Sequence, residues 1–403
     1  MRHLVLVLTL LTLGLSTVKP ARAQATVEVS DTKVVYRFGE QVNFQGRVKA
    51  SAPIQDVVIL FRAQGESSTR SGAATLTDDG QVTFSYHFEQ GTFPSFAPVN
   101  YWFRVTLQSG EKIESSPSSF DYIDNRFPWK SVEDGQVRLH WYTGDDAFAL
   151  QARDIARQGL KKTSEMLAVT PDHVFDIYVY ALPADMQLAL QNSLQKSAIG
   201  GEASPELGVA LVAISPGLEQ AVTMERKIPH ELAHLLTYQL VGERYSRLPV
   251  WLREGIASMA EPANPDYAEL ISTAQDQQAF ISMEDLCGAF PPEVSRALLA
   301  YAQSESFTRY IVNQYGDSGL VSLANAYADG LDCQQGAARA LGPSLNHVES
   351  DWLTSLAPGG SNPATNFDDG FLPYLALLLI MMIAPLGFIA AVWRTPYGGQ
   401  RNK

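Results

Sequence analysis

The spacing of apolar residues changes once along the chain, near residues 125–129, and this change limits the possible folds more than any other feature. Before it, apolar residues alternate with polar ones, as at 42–48 and 82–88. A period of two is typical of β-strands with one buried face, and short turn sequences such as Asp-Gly separate the stretches. The sequence therefore predicts an antiparallel β-sandwich at residues 26–125.

Beyond residue 130 the apolar residues follow a different pattern. A stripe with helical spacing covers residues 148–167, and continuous apolar runs at 174–180 and 209–214 are typical of buried strands. We therefore expect a second domain, at residues 130–357, of the α+β class. The first domain is expected to be immunoglobulin-like or fibronectin-like, and to serve either as a ligand-binding module or as a spacer.

The amino-terminal residues have the composition of a secretory signal peptide. Arg2 precedes an apolar run at residues 4–15, and small residues spaced as in a signal-peptidase site follow, up to Ala23 and Ala25. We expect residues 1–25 to be a signal peptide. An amino-terminal membrane anchor is the alternative, but the apolar run is too short for about 30 Å of hydrocarbon.

Residues 371–393 form an uncharged, largely apolar stretch that is long enough to cross a bilayer as a helix. Two aspartates precede it and three basic residues follow it, so the positive-inside rule places the tail, residues 394–403, in the cytoplasm. The alternative, a buried core helix, leaves this charge asymmetry unexplained. A flexible linker, residues 358–370, precedes the segment. We expect a single-pass plasma-membrane protein with extracytoplasmic domains.

Net charge and cysteine content favour some partners and exclude others. The formal net charge is −13, which gives no basic surface for a phosphate backbone, so nucleic acid is not an expected partner. Cys287 and Cys333 are the only cysteines, and a disulfide bond between them would persist outside the cytoplasm. Two free buried thiols are the alternative. The sequence specifies no oligomeric state.

The stretch KIPHELAHLLTYQL, residues 227–240, contains two histidines four positions apart. On a helix, His230 and His234 share one face and can direct their imidazoles to a single metal ion. Glu231 is rotated from them by about 100°, where its carboxylate can act as a general base on a water molecule. An ordinary amphipathic helix is the alternative interpretation.

A catalytic zinc ion takes three protein ligands and leaves a fourth position for water. The segment LPVWLREGIASMAE offers two candidates for the third ligand, Glu254 and Glu261. Its apolar residues, including Trp251 and Ile256, would pack against the histidine helix and bring Glu254 towards the metal. We choose Glu254 as the third ligand and expect Zn²⁺ as the cofactor.

The pairing of HELAH with a WLxEG segment, whose glutamate follows the second histidine by 20 positions, resembles the gluzincin zinc metallopeptidases, which include thermolysin and the aminopeptidase N class. Over residues 130–357 the chain is similar to the peptidase MA-like family. The resemblance implies a thermolysin-like domain that hydrolyses peptide bonds, with His230, His234 and Glu254 as zinc ligands and Glu231 as the base that activates water.

Similarity to this family also assigns Tyr301 as the donor to the tetrahedral oxyanion, with a packing tyrosine as the alternative. Tyr238, one turn past His234, is a poorer candidate. Arg253 stands where many relatives carry asparagine, and we expect it to point away from the metal. Ser258 replaces the aspartate by which thermolysin orients a ligand histidine, so that role needs another residue. No GxMEN segment precedes the histidine helix, so aminopeptidase activity is not implied.

The strand at residues 209–214 is expected to be the sheet edge on which an extended peptide substrate adds as a further strand, with an ordinary internal strand as the alternative. The leading hypothesis for the whole chain is a membrane-anchored, extracytoplasmic zinc peptidase, either endo- or exopeptidase. The alternatives are a non-catalytic cell-surface scaffold that retains the metal site, and a chance motif in a structural protein. The presence of all four metal-site residues favours the enzyme.

Overall fold

The computed structural model describes residues 25–88, 93–190 and 201–357. The chain divides into two compact units, of which the first ends at Arg126 and the second begins at Phe127.

Four predicted segments lie outside the described residues and stay predictions: the signal peptide, apart from Ala25, the linker, the transmembrane helix and the cytoplasmic tail. In the part of the chain that the structure does describe, no helix combines the length and the hydropathy needed to cross a membrane.

The first unit is built from antiparallel strands. They are β1 (Val27–Arg37), β2 (Gln41–Ala50), β3 (Ile54–Ala63), β4 (Arg70–Ala73), β5 (Thr75–Leu76), β6 (Gln81–His87), β7 (Pro98–Leu107), β8 (Lys112–Glu114) and β9 (Ser118–Asp121). One sheet has the order β1-β2-β6-β5 and the other the order β4-β3-β7-β8, with β9 also paired to β7. Alternate residues such as Phe44, Phe61 and Phe103 are buried, as the period of two predicts.

The second unit combines helices with a mixed sheet. Its strands are β10 (Lys130–Asp134), β11 (Val137–Trp141), β12 (Phe175–Tyr180), β13 (Gly201–Ser204) and β14 (Val209–Ala213). Its helices are α1 (Asp146–Leu167), α2 (Pro183–Leu190), α3 (Gln220–Val241), α4 (Val250–Ala260), α5 (Pro265–Gln277), α6 (Val294–Ala328), α7 (Cys333–Leu341) and α8 (Leu345–Leu356). Helix α6 is interrupted at Gly316, whose φ is 70°.

The order of strands in this sheet corrects one expectation. Among the described residues the order is β10-β11-β12-β14-β13, in which β11, β12 and β14 are parallel and the two outer strands antiparallel. The strand predicted at 209–214 is therefore internal, because Val212 of β14 pairs with Val179 on one side and Gly201 on the other. At this end of the sheet the outermost described strand is β13, which folds back beside β14.

Helix α3, which carries both histidines, buries an apolar stripe. Met224, Ile228 and Leu232 are four positions apart and fully buried, as expected for one face of a helix. The helix packs closely on α1, because a Cβ atom at Gly159 would lie 2.8 Å from Cβ of Pro229. A larger residue at Gly159 would therefore displace the turn that carries His230.

Helix α4 follows Pro249 and buries Trp251 and Ile256. The glycine of the WLxEG segment explains its position. A Cβ atom at Gly255 would lie 2.5 Å from the carbonyl oxygen of Ser304 on α6, so the two helices approach at this point more closely than any other residue allows. This close approach fixes the neighbouring Glu254.

Cys287 and Cys333 form a disulfide bond, which confirms the prediction. The bond ties the segment that follows α5 to the first residue of α7.

We predict that Gly255→Ala destabilises the second unit. Overpacking of this kind costs roughly 1–3 kcal/mol, and it exceeds the gain of about 1 kcal/mol in helix propensity because a backbone carbonyl cannot rotate away. Gly288→Ala is the matched control, since nothing lies within 4 Å of a Cβ atom at Gly288. Chemical denaturation of both variants measures the difference, and equal midpoints would contradict the packing argument.

Candidate metal centre

Three donor atoms from two helices converge at one point. The rings of His230 and His234 lie one turn apart on α3, with centroids separated by 4.9 Å. Oε2 of Glu254, on α4, lies 3.5 Å from Nε2 of His230 and 3.8 Å from Nε2 of His234. These three residues form the one group in the described part of the chain whose His, Cys, Asp or Glu side chains could hold a metal ion.

The second nitrogen of each imidazole contacts a different residue. Nδ1 of His230 lies 2.8 Å from Oε1 of Glu261, and Nδ1 of His234 lies 2.9 Å from the hydroxyl of Tyr245. Contacts of this type fix the orientation of a ligand imidazole and leave Nε2 for the metal. Glu261, which the sequence offered as an alternative ligand, therefore orients His230. Glu261 thus supplies the orienting contact that Ser258, which stands at the position of the thermolysin aspartate, does not supply.

Helix α1 holds the end of α4 in place. Nζ of Lys162 donates hydrogen bonds to the carbonyl oxygens of Met259, Ala260 and Glu261, at 2.7, 3.3 and 3.1 Å. The last carbonyls of a helix have no partner within the helix, and a cation there is favourable. Lys162 thus positions the backbone from which Glu261 reaches His230.

The three donor residues line a cavity of about 550 Å³. Glu231 lines it, is 5% exposed, and stands outside the group of three donors. Tyr301 lines the same cavity. Arg253 was expected to point away, but it also lines the cavity, with its guanidinium 5.3 Å from the centre of the Tyr245 ring. The attraction between a cation and an aromatic face accounts for this position.

Burial and the neighbouring carboxylates together set the protonation of the site. Burial by itself lowers the pKa of His230, but contacts with Glu254 and Glu261 outweigh it and raise that pKa well above its usual value. Burial lowers the pKa of His234 to about 4. Burial also raises the pKa of Glu231 to about 8, and the charge of Glu254 acts in the same direction. A bound cation would favour the ionised form of Glu231 and of Glu254.

A model of the Peptidase MA superfamily matches residues 155–358, which is just over half of the 403 residues. The chain belongs to the Peptidase MA superfamily. This confirms the predicted family at the level of the superfamily, and the matched range contains the three donors, Glu231 and Tyr301. A comparison with curated proteins gives no match.

Several solved structures share a low level of similarity with this chain. A mutant of a two-domain M1 zinc metallopeptidase bound to L-arginine is 14% identical, with a TM-score of 0.36, over 84% of this chain and 95% of that chain. A mutant M1 zinc metallopeptidase from Deinococcus radiodurans is 13% identical, with a TM-score of 0.30 and the same coverage. A β-1,3-glucan-binding domain of carbohydrate-binding module family 56 is 11% identical, with a TM-score of 0.17, over 24% of this chain and 99% of that chain.

Four residues of the site were missed or misassigned from the sequence. Glu261 follows Glu254 by seven positions, which is two helical turns, so a shared face could have been inferred. Tyr245 lies in a short 3₁₀ segment, and Lys162 lies about a hundred residues before its acceptors, so neither had a local signal. Glu202 on β13 is also buried beside the site, where its charge helps to raise the pKa of Glu231.

We predict that Glu261→Gln weakens metal binding about tenfold and Glu261→Leu by up to about a hundredfold, the range observed when such orienting contacts are removed. Glutamine still accepts a hydrogen bond from His230 but lacks the charge, whereas leucine offers no acceptor. Competition with a chromophoric chelator, using Zn²⁺ as the probe, measures the affinity. Glu269→Gln, an exposed position on α5, is the control, and an unchanged affinity in Glu261→Leu would show that the contact has no orienting role.

Proposed function

We propose that this chain is a zinc-dependent peptidase with His230, His234 and Glu254 as ligands and Glu231 as the general base. The observation that carries the proposal is the convergence of three donor atoms beside a buried carboxylate in one cavity. Membership of the Peptidase MA superfamily supports peptide-bond hydrolysis as the reaction.

The donor set fits zinc. Two imidazole nitrogens and one carboxylate oxygen are ligands that zinc accepts, and three protein ligands are typical of its catalytic sites. Ligands at about 2.0–2.1 Å from a tetrahedral zinc lie roughly 3.4 Å apart, whereas Oε2 of Glu254 is 3.5 and 3.8 Å from the two Nε2 atoms. With Nδ1 of His230 and His234 engaged by Glu261 and Tyr245, each imidazole can present Nε2 to a metal once that nitrogen is deprotonated, which is the form that a metal requires.

A bound zinc ion would polarise the scissile carbonyl and make a water molecule more acidic. Glu231 accepts the proton from this water as the water oxygen forms a bond to the carbonyl carbon. When the carbon–nitrogen bond breaks, Glu231 passes the same proton to the leaving amine. Its position one residue after His230 places its carboxylate inside the cavity without making it a member of the donor group.

Tyr301 is our candidate for the hydrogen-bond donor to the oxyanion. Burial raises its pKa, and the charges of Glu254 and Glu231 add to the effect, so the hydroxyl keeps its proton at physiological pH. Tyr245 also lines the cavity, but its hydroxyl is engaged with His234. Tyr238 is absent from the residues that line the cavity. These placements favour Tyr301.

Strand β13 is our candidate for the site of backbone recognition, in place of the internal strand β14. An extended peptide can add to the edge strand of a sheet as a further strand. Among the described residues, β13 ends the sheet, and Glu202 and Ala203 line the cavity. A peptide on this edge would lie beside the donor group.

We also propose that the catalytic domain faces outward and is tethered to the plasma membrane. The support is the sequence alone: an amino-terminal stretch with the composition of a signal peptide, and an apolar stretch at 371–393 followed by basic residues. The alternative function, a cell-surface scaffold that retains the metal site, shares this placement and differs in having no turnover.

Glu231→Gln should retain the metal and lose turnover, because glutamine cannot take a proton. We expect kcat to fall by at least 10²–10⁴, while atomic emission still detects one zinc ion per chain. The assay is mass spectrometry of a mixed peptide library incubated with the full-length protein in mild detergent, with a chelator control. The new termini would also separate endo- from exopeptidase cleavage. Equal turnover by Glu231→Gln and the wild type would rule out the assigned base.

His234→Ala should lose the metal as well as activity. Because a ligand stabilises only the state that binds it, chelation should lower the Tm of the wild type and of Glu231→Gln but leave the Tm of His234→Ala unchanged. Calorimetry measures this without any substrate. Bound zinc together with no cleavage of any peptide would favour the scaffold, and a response of His234→Ala equal to that of the wild type would remove His234 from the ligand set.

A further inference from the structure

One wall of the cavity differs in chemistry from the metal centre. Its side chains are Tyr267 and Leu270 on α5, Phe290 in the segment after α5, and Leu298 and Tyr301 on α6. We call these five residues the apolar wall. The two residues on α5 are three positions apart, as are the two on α6, so each pair lies on one helix face.

The apolar wall is partly exposed to solvent. Leu298 is 42% exposed, and the other four residues are of intermediate burial. Leu298 is also absent from the residues that pack against the hydrophobic core, so folding alone does not account for its apolar side chain. Large apolar side chains that share a concave surface rimmed by polar groups are typical of a binding site.

The apolar wall is held in place before any ligand binds. Gln303 joins the segment between α5 and α6 to α6, because its Oε1 accepts from the amide of Ile281 at 3.0 Å and its Nε2 donates to the carbonyl of Ile281 at 2.8 Å. The disulfide bond anchors the same segment three residues before Phe290. The rings of Phe290 and Tyr301 then meet edge to face, with centroids 4.9 Å apart.

The chemistry of the cavity favours an uncharged, apolar occupant for this wall. An ion placed against apolar side chains loses hydration without gaining a partner, whereas apolar surface gains about 25 cal/mol for each Å² removed from water. Two of the cations that line the cavity already have protein partners: Lys227 donates to the carbonyl of Ala213, and Arg226 to Asn264. Asp266 lines the cavity but is exposed, so it is well hydrated and would add little to the binding of a cation.

We infer that the apolar wall binds one aromatic or large aliphatic side chain of the peptide substrate, beside the cleaved bond, and that Leu298 determines this specificity. The inference rests on the proposed peptidase function and names the class of substrate. The wall and the three donors line the same cavity, so a side chain bound against the wall belongs to a residue near the scissile carbonyl.

The test uses the full-length protein and peptides that differ at one position near the cleaved bond, with Phe, Leu, Ser, Glu or Lys there. We expect the Phe and Leu peptides to have a kcat/KM at least tenfold above that of the Ser peptide, since apolar contacts in a pocket discriminate by roughly tenfold or more. Leu298→Asn, which keeps shape and charge but adds polarity, should lower the ratio of kcat/KM for the Phe peptide to kcat/KM for the Ser peptide about tenfold. Leu298→Met should retain the preference.

Val294→Asn is the matched control, because Val294 lies one turn earlier on α6, is 76% exposed and does not line the cavity. It should behave as the wild type. A second arm measures binding of the Phe and Ser peptides to Glu231→Gln by calorimetry, where no cleavage is needed. If the protein binds the Phe peptide more tightly than the Ser peptide but the wild type cleaves neither, the proposed peptidase function is wrong and the binding role of the apolar wall is supported. Four results would contradict the proposed binding role of the apolar wall: equal affinity for both peptides, no binding of either peptide, a preference for the Lys peptide, or no effect of Leu298→Asn.

Discussion

The hydrogen bond between His230 and Glu261 joins helix α3 to the end of helix α4, and the candidate metal centre depends on it. Two carboxylates contact one imidazole: Glu254 on α4 lies at Nε2, and Glu261, the residue directly after α4, lies at Nδ1. A ring held on both sides cannot rotate its Nε2 away from the other donors. This arrangement requires a fixed position of α4 along α3. The close approach of Gly255 to α6 and the hydrogen bonds of Lys162 hold α4 in that position.

The same arrangement places several acidic side chains in one cavity. Glu231, Glu254 and Glu261 are all shielded from water, and like charges at low dielectric repel strongly. Burial is the main cause of the raised pKa of Glu231, and the negative charges of Glu254, Glu202 and Glu261 add to it. The contacts with Glu254 and Glu261 raise the pKa of His230 against the opposing effect of burial. A divalent cation at the donor group would compensate the charge more completely than protons do. Metal binding and the stability of the second unit are therefore linked.

The sequence contained the parts of this site that follow from local periodicity. The four-residue spacing of His230 and His234 places them on one face of any helix, and the seven-residue spacing of Glu254 and Glu261 does the same. The alternation of apolar residues likewise predicted the strands of the first unit. What the sequence did not show depends on pairing between distant segments. The four residues of β13 have no periodicity of their own, and their place at the sheet edge follows only from pairing with β14.

The donor group and the apolar wall lie on different elements around the cavity. Helices α3 and α4 carry the donor group and Glu231, and both are fixed by close contacts at Gly159 and Gly255, where an added methyl group would force a neighbouring element to shift. The apolar wall lies on α5, α6 and the segment between them, and it contains a leucine with no role in the core. The proposed zinc ligands and general base therefore lie on different elements from the proposed side-chain recognition, and only Tyr301 on α6 belongs to both. The shape of the wall is thus set largely independently of the geometry that the metal requires.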